Sequence, residues 1–301
     1  MKILVTGSSG LVGSAVVESL DSAGHEVIRL VRSAPKSRTE VQWNPETGEL
    51  DGETLEGIDA VVHLAGESIA SGRWNEQKKA RIRDSRILGT LLLAETLAKL
   101  SRPPRVLVSA SAIGYYGDRG DELLDESSLP GKGFLADVCV EWERALDPAI
   151  EKGVRVVILR IGVILSAVGG ALARMIGPFK FGAGGRAGSG RQYMSWIALD
   201  DVVGAISYSL AVDSLRGAVN VVAPNAVTND RFTKALGHVL SRPAFFPLPA
   251  FAARLALGEM ADELLLASTR VEPRKLFESG YVFKHANIEE ALRHVLRIKQ
   301  R

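Results

Sequence analysis

The sequence predicts an α/β protein in which a doubly wound parallel sheet carries a smaller, mostly helical C-terminal region. Three observations predict it. Short apolar runs alternate with longer helical patterns through the first half of the chain. A glycine-rich turn separates the first apolar run from the first helix. The run Val154–Leu159 is almost continuously apolar, as a strand covered on both faces must be.

In chain order, residues 2–6 read as a strand and 11–23 as a helix stopped by Gly24. Strands follow at 26–31, 60–64, 105–109 and 154–159, with helical stretches at about 74–100 and at 134–150. Beyond Ser166 the character changes. Residues 181–190 are rich in glycine and lead into Gln192-Tyr193-Met194-Ser195-Trp196, which reads as a loop or hairpin closing over a pocket, with glycines that permit its movement. Residues 200–211 read as a helix, capped by Asp200-Asp201, and 218–222 as one more strand. Asn287-x-x-Glu290 resembles a capping box. The expected division is a dinucleotide-binding domain over 1–225, with 166–197 on its substrate side, and a small C-terminal domain over 226–301.

Composition excludes several function classes. The chain has 301 residues, 46% hydrophobic and 24% charged, with a net charge of +2, which gives no electrostatic case for nucleic-acid binding or a polybasic membrane contact. A single cysteine, Cys139, excludes an intrachain disulfide and a cysteine-based zinc site. The five histidines are scattered along the chain, so no metal site is expected. The apolar stretch 154–175 is interrupted by Arg155, Arg160, two glycines and Arg174, and the first strand is too short for a signal-peptide core, so a cytoplasmic protein, or one of an organelle matrix, is expected. Expected partners are a small-molecule substrate of unknown identity and either a second copy of the chain or a regulatory protein.

The sharpest motif is Thr6-Gly7-Ser8-Ser9-Gly10-Leu11-Val12-Gly13. Lying between strand and helix, it reads as a phosphate-binding turn of the Rossmann type. Gly7 permits the tight turn, Gly10 admits a pyrophosphate, Gly13 lets helix pack on strand, and the helix N-terminus offers free N–H groups. An NAD site would place an acid about 20 residues beyond the glycines. This chain has Val31-Arg32-Ser33 there, with Lys36 and Arg38 nearby. Arg32 would pair with a 2′-phosphate that an acid would repel, so the cofactor expected is NADP(H).

Further phrases carry a family resemblance. Thr6-Gly7-x-x-Gly10-x-x-Gly13, His63-Leu64-Ala65-Gly66, Ser109-Ala110-Ser111, Tyr116-Gly117 and Trp196-Ile197 with Asp200-Asp201 resemble the extended short-chain dehydrogenase/reductases (SDRs), the superfamily of the nucleotide-sugar epimerases. Leu64-Ala65-Gly66-Glu67, Arg73-Trp74-Asn75, Ser85-Arg86, Trp142-Glu143 and Leu257-Gly258-Glu259-Met260 are similar to its atypical YfcH-like branch of epimerase family proteins. The resemblance spans essentially the whole chain. It implies cofactor contacts from Leu64, Ala65, Gly66, Glu67, Ser109, Arg86 and Arg160, besides Thr6, Gly7, Ser9, Gly10, Leu11, Val12, Gly13 and Arg32.

Typical enzymes of the superfamily carry Tyr-x-x-x-Lys on the helix after the serine-bearing strand, one helical face presenting both groups to the nicotinamide. Here the stretch reads Phe134-Leu135-Ala136-Asp137-Val138, and neither Phe nor Val can move a proton. The remaining catalytic candidates are Ser111, Tyr115 and Tyr116, with Lys132 and the pair Asp125-Glu126 nearby. Arg191 and Trp196 are candidate substrate-pocket residues, together with Arg186, Gln192 and Tyr193. Cys139, Trp142 and His63 read as core. Two functions compete. One is an NADP(H)-dependent oxidoreductase or epimerase-like enzyme. The other is a non-catalytic NADP(H) sensor, for example one serving cell division.

Overall fold

The computed structural model describes residues 1–298. Its core is an eight-stranded sheet. In chain order the strands are β1 (Lys2–Thr6), β2 (Glu26–Val31), β3 (Glu40–Asn44), β4 (Glu49–Leu50), β5 (Ala60–His63), β6 (Val106–Ala112), and, after the short β7 (Leu123–Leu124), β8 (Arg155–Ile161). The minor strands β9 (Val163–Leu165), β10 (Tyr193–Met194) and β11 (Trp196–Ala198) precede β12 (Gly217–Val221), and β13 (Val227–Thr228) and β14 (Arg270–Val271) follow it. The spatial order is β12-β8-β6-β5-β1-β2-β3-β4, parallel except for the terminal β3–β4 pair. The chain winds outward from β1 in one direction and then, from β5, in the other. The crevice between the carboxyl ends of β1 and β5 is therefore the topological switch point, where open α/β sheets bind ligands.

Two apolar layers cover the sheet. Alternate residues of β1, Ile3 and Val5 against Leu4, point to opposite faces and join separate core clusters, as the pleat requires. One cluster is covered by α1 (Leu11–Ser22) and, later in the chain, by α6 (Leu199–Ala211). The other is covered by α2 (Glu76–Lys99) and by α4 (Asp147–Glu151), while α3 (Phe134–Arg144) packs beside α2 and β6. Asp147-Pro148 opens α4 and breaks the helix expected over 134–150. The expected helices and strands are present otherwise. The paired strands β3 and β4 lie in a stretch that sequence reading left unassigned, where Glu40-Val41-Gln42-Trp43-Asn44 buries Trp43 but little else.

The rest builds a third cluster. Helix α5 (Gly170–Lys180) and α7 (Asn229–Leu240) pack with α10 (Ile288–Val295) around Trp196, Phe179 and Phe232, while α8 (Ala250–Leu257) and α9 (Arg274–Glu278) lie between α7 and α10 in the chain. Asn287 caps α10 as expected, its Oδ1 accepting from the N–H groups of Glu289 and Glu290. No helix among the described residues is long and apolar enough to cross a membrane.

Candidate functional site at the carboxyl edge of the sheet

The glycine turn divides its labour by position. Gly7 has φ +65°, and a Cβ there would lie 2.7 Å from the Leu64 backbone. A Cβ on Gly13 would lie 2.1 Å from the Gly7 carbonyl, so the helix would have to shift on the strand. Both glycines serve the fold. A Cβ on Gly10 would meet only the Gly7 carbonyl, at 3.3 Å, and Ser9 and Gly10 are exposed. Gly10 is also the N-cap of α1 and supplies no capping side chain, and the first turn carries no acid. The positive end of α1 thus opens onto space that a side chain at position 10 would fill, which is the fit a phosphate group needs. Leu11 and Val12 follow, half-buried on α1. Arg32 is exposed just past the end of β2, close enough to Glu67 to help hold that carboxyl below its ordinary range.

The loop after β5 is locked to this turn from inside. Thr6 is fully buried, and its Oγ1 accepts from the N–H groups of Leu64 and Ala65 at 3.0 and 3.1 Å. Its own proton is then left for His63 Nδ1, 2.8 Å away, so His63 carries its proton on Nε2 and donates it to Thr90 Oγ1 at 2.9 Å. Burial pushes His63 down to about 4. This corrects the expected role of Thr6: its hydroxyl is consumed in tying two loops together and has nothing left for a cofactor. Arg86 is corrected likewise. Its guanidinium donates to the carbonyls of Glu67 and Ile82, both at 3.0 Å, lies over Trp142, and is lowered by burial. It braces the loop from behind. Leu64 and Ala65 are half-buried and Gly66 is exposed, and Glu67 is held by Lys78 at 2.5 Å, whose hydrogen bond is the main cause of its lowered pKa.

At the next strands the polar groups close on one another. Arg160 on β8 is 5% exposed and forks onto Glu143 of α3, with Nε–Oε1 at 2.9 Å and Nη2–Oε2 at 2.8 Å. Burial alone would lower its pKa; the Glu143 hydrogen bonds and charge reverse that and hold it firmly protonated. Ser111 Oγ donates to the same Glu143 at 2.7 Å. Arg160 also donates to the Tyr116 hydroxyl at 3.0 Å, and that hydroxyl sits 2.7 Å from Asn220 Oδ1 and 3.0 Å from the Asp125 carbonyl. Tyr116 is fully buried, and burial pushes its phenol up to about 12. Tyr116 and Ser111 thus face inward and are bonded to protein, and Arg160 is paired with Glu143. Ser109 is fully buried, its hydroxyl on the Ala110 carbonyl. Tyr115 differs. It is half-buried, with the Arg160 guanidinium 3.4 Å from its ring centroid, and no hydrogen bond of its hydroxyl is made among the described residues.

Asp125 and Glu126 act as structural clips. Asp125 accepts from Ser127 and from Arg274, which hold its carboxyl down to about 2. Glu126 Oε1 accepts from the N–H of Asn220 and of Lys275. Lys132 is exposed.

The stretch lacking the tyrosine and lysine has new neighbours. Val138 is core. The Phe134 ring lies edge-on to Trp74 at 5.3 Å, with Lys79 Nζ 4.8 Å above it. Lys79 pairs with Glu259 at 3.0 Å. From the same C-terminal segment Glu263 accepts from the N–H of Phe134 and of Leu135 at 3.1 and 3.3 Å, so its carboxylate caps α3. Burial raises the Glu263 pKa against the opposing effect of those two bonds. Glu263 lies in a π-helical turn, Ala261–Leu266, a conformation common at functional sites. Sequence reading missed Glu143, Lys79, Glu259 and Glu263. A signal existed for the first, because an arginine inside an apolar strand needs an acid. Glu259 stood in a branch-specific phrase without a partner to give it meaning.

On the far side, Trp196 is fully buried and donates to the Asn225 carbonyl, so it belongs to the core and not to a pocket wall. The glycine-rich loop is tied to its surroundings by hydrogen bonds. Ala187 N–H donates to Asn229, Gly188 N–H to the Leu248 carbonyl, and Gln192 Nε2 to the carbonyls of Ala187 and Leu265. A Cβ on Gly185 would lie 1.8 Å from the Phe246 carbonyl, so that glycine serves close packing. Nor is 192–196 a hairpin, since β10 pairs with β13 and β11 with β9. Arg186 and Arg191 are exposed, and Tyr193 is half-buried beneath Arg270.

A parallel sheet with a glycine turn at its switch point, carrying an appended helical unit, defines the Rossmann class of α/β proteins. Within that class the chain belongs to the NAD dependent epimerase/dehydratase family, whose pattern matches residues 3–222, as the sequence resemblance implied. Residues 248–295 match a second family described as a domain of unknown function. The chain is 47% identical over 290 residues to the epimerase family protein Mb2239 of Mycobacterium bovis, covering 96% of each chain. The crystal structure of human epimerase family protein SDR39U1 with NADPH superposes with a TM-score of 0.90 at 32% identity, covering 99% of each chain. A nucleoside-diphosphate sugar epimerase from Corynebacterium glutamicum superposes at 0.83 with 38% identity, over all of this chain and 59% of that one.

Proposed function

We propose that this chain is an NADP(H)-dependent oxidoreductase or epimerase-like enzyme acting on a small molecule. The observation that carries the reading is the open position at Gly10, before an α1 N-terminus that no side chain caps. Ser9, Gly10, Leu11 and Val12 would hold the pyrophosphate on backbone N–H groups, and Leu64, Ala65 and Gly66 would border the ribose. Arg32 would meet the 2′-phosphate. The NADPH in the human relative supports this choice for a chain at 32% identity. When bound, the cofactor supplies hydride chemistry.

The chain's own contribution to proton transfer would come from different residues than the superfamily's pair. Tyr115, set against Arg160, has a hydroxyl that makes no hydrogen bond among the described residues. Lys79 and Glu259 form an ion pair over the ring that replaces the usual tyrosine. A substrate oxygen placed beside either group would receive its proton at Tyr115 Oη or Lys79 Nζ, while Trp74 and Phe134 form an apolar wall. The second reading, a sensor without turnover, is favoured by the inward commitment of Ser111 and Tyr116.

Titration of the purified protein with NADPH and NADH, followed by NADPH oxidation with a panel of carbonyl compounds and nucleotide sugars, separates the two. The enzyme reading expects turnover that Tyr115→Phe or Lys79→Met abolishes, with NADPH affinity unchanged within about twofold, because a lost transition-state contact lowers rate without weakening the ground state. Tight NADPH binding with no turnover on the whole panel would establish the sensor, and no binding of either dinucleotide would overturn both.

A further inference from the structure

The histidines that the sequence scatters are partly gathered by the fold. His285 and His294 stack with ring centroids 4.3 Å apart and planes inclined by 30°. Asp200 Oδ2 lies 2.7 Å from His294 Nε2 and 3.9 Å from His285 Nε2. One ligand atom from each of the three residues falls within 4.8 Å of the others. Asp200 is in the first turn of α6, His294 is in the last turn of α10, and His285 is on the segment leading to α10.

The cluster is held from beneath. Asp201 is fully buried, and its two carboxylate oxygens accept from the N–H of Lys284 at 2.7 Å and of His285 at 3.0 Å. The Tyr281 hydroxyl donates to the Asp201 carbonyl at 3.0 Å. This corrects the expectation that Asp200-Asp201 caps α6. The N-cap is Ala198, and the two acids instead fasten the C-terminal segment to α6. Because Asp201 fixes the backbone at His285, the imidazole is placed beside Asp200 before any ligand arrives, as outer-shell groups do at metal centres.

We propose that Asp200, His285 and His294 bind one divalent cation of the zinc class. Two neutral imidazoles and one carboxylate are the donor set of borderline cations, whereas magnesium and calcium prefer oxygen throughout. Arms of about 2.0 Å give a tetrahedron edges of about 3.3 Å. The two carboxylate–imidazole separations, 2.7 and 3.9 Å, bracket that edge, so adjustment of two side-chain rotamers brings all three donors onto one ion. His294 and Asp200 are about half exposed, at 51% and 46%, which leaves a coordination position for water and a path for the ion. The cation would join a helix of the family-matched region 3–222 to the segment matched over 248–295, clamping the C-terminal unit against α6. The one cysteine is buried elsewhere and does not compete.

The test uses the tag-free, metal-stripped chain, titrated with zinc, cobalt and magnesium by calorimetry, thermal unfolding and imidazole NMR. One equivalent of zinc is expected to bind, to raise the melting temperature, and to shift the resonances of His285 and His294 alone among the five histidines. Cobalt is expected to give visible bands, and magnesium at equal concentration no effect. His294→Ala, at an exposed position, and His285→Ala are each expected to weaken zinc at least about tenfold. The resonance assignment on the unaltered chain decides the matter even if a variant folds poorly. Zinc binding that survives both substitutions, shifts at other histidines, or no zinc binding at all would overturn the proposal.

Discussion

The two ends of the crevice are built on opposite principles. At the glycine turn the protein leaves its polar groups open: α1 has no side-chain cap, and the space before Gly10 is free. Around β6 and β8 it closes them, as Glu143 takes up Arg160 and Ser111, and Tyr116 is buried among Arg160, Asn220 and Asp125. An open backbone terminus leaves hydrogen bonding for water or a ligand to complete. A closed side-chain network marks a place where the fold has already done so. The difference teaches that residues singled out as catalytic candidates by sequence can serve here as framework, while the Tyr115 hydroxyl makes no hydrogen bond among the described residues and Lys79 pairs with Glu259 above Phe134.

This contrast can be broken or sharpened by experiment. The largest effect is expected at the closed end. Glu143→Gln leaves a buried guanidinium without its counter-charge, which should cost about 3–5 kcal/mol in urea unfolding. A loss under about 1 kcal/mol, the range of an exposed pair, would mean that the network is solvated and open.

Next is His63, which joins the turn to the loop after β5. The unfolded imidazole titrates near 6.5 and the buried one near 4, so the unfolded chain takes up the proton first. Stability should be level above pH 6.5 and should fall as pH drops toward 4, by up to about 3 kcal/mol. In His63→Gln this slope should flatten, whatever the variant's absolute stability.

The open end distinguishes its own glycines. Gly13→Ala should cost about 1–3 kcal/mol from overpacking against Gly7. Gly10→Ala should cost less stability than Gly13→Ala while weakening dinucleotide binding. Equal destabilisation by both would show that Gly10, too, serves only the fold. The smallest expected effect is at Arg32. Arg32→Ala should weaken NADPH about tenfold, roughly the worth of one charge-assisted contact, and leave NADH unaltered.

Much of the fold was legible in the chain. The strands read at 2–6, 26–31 and 60–64 announce themselves because buried parallel strands are predominantly apolar, and the glycine turn because no other residue fits Gly7 or Gly13. The strand at 40–44 was not legible, since as a peripheral strand it buries only one large side chain. The glycine turn was legible as well, being made of backbone in a local motif. The closed half was not, because whether a side chain points into a crevice or into its neighbour depends on partners far along the chain. Arg160 finds Glu143 one helix back, and Glu263 reaches Phe134 across more than a hundred residues.

The sequence by itself determined the alternation of strands and helices, the glycine turn and the loss of the tyrosine–lysine pair, because each follows from local periodicity or residue type. Only the tertiary structure decided that Tyr116, Ser111 and Arg160 are sealed inward, that Lys79 meets Glu259 above Phe134, and that two distant histidines converge on Asp200. Burial and long-range pairing are properties of packed elements, and no stretch of chain carries them alone.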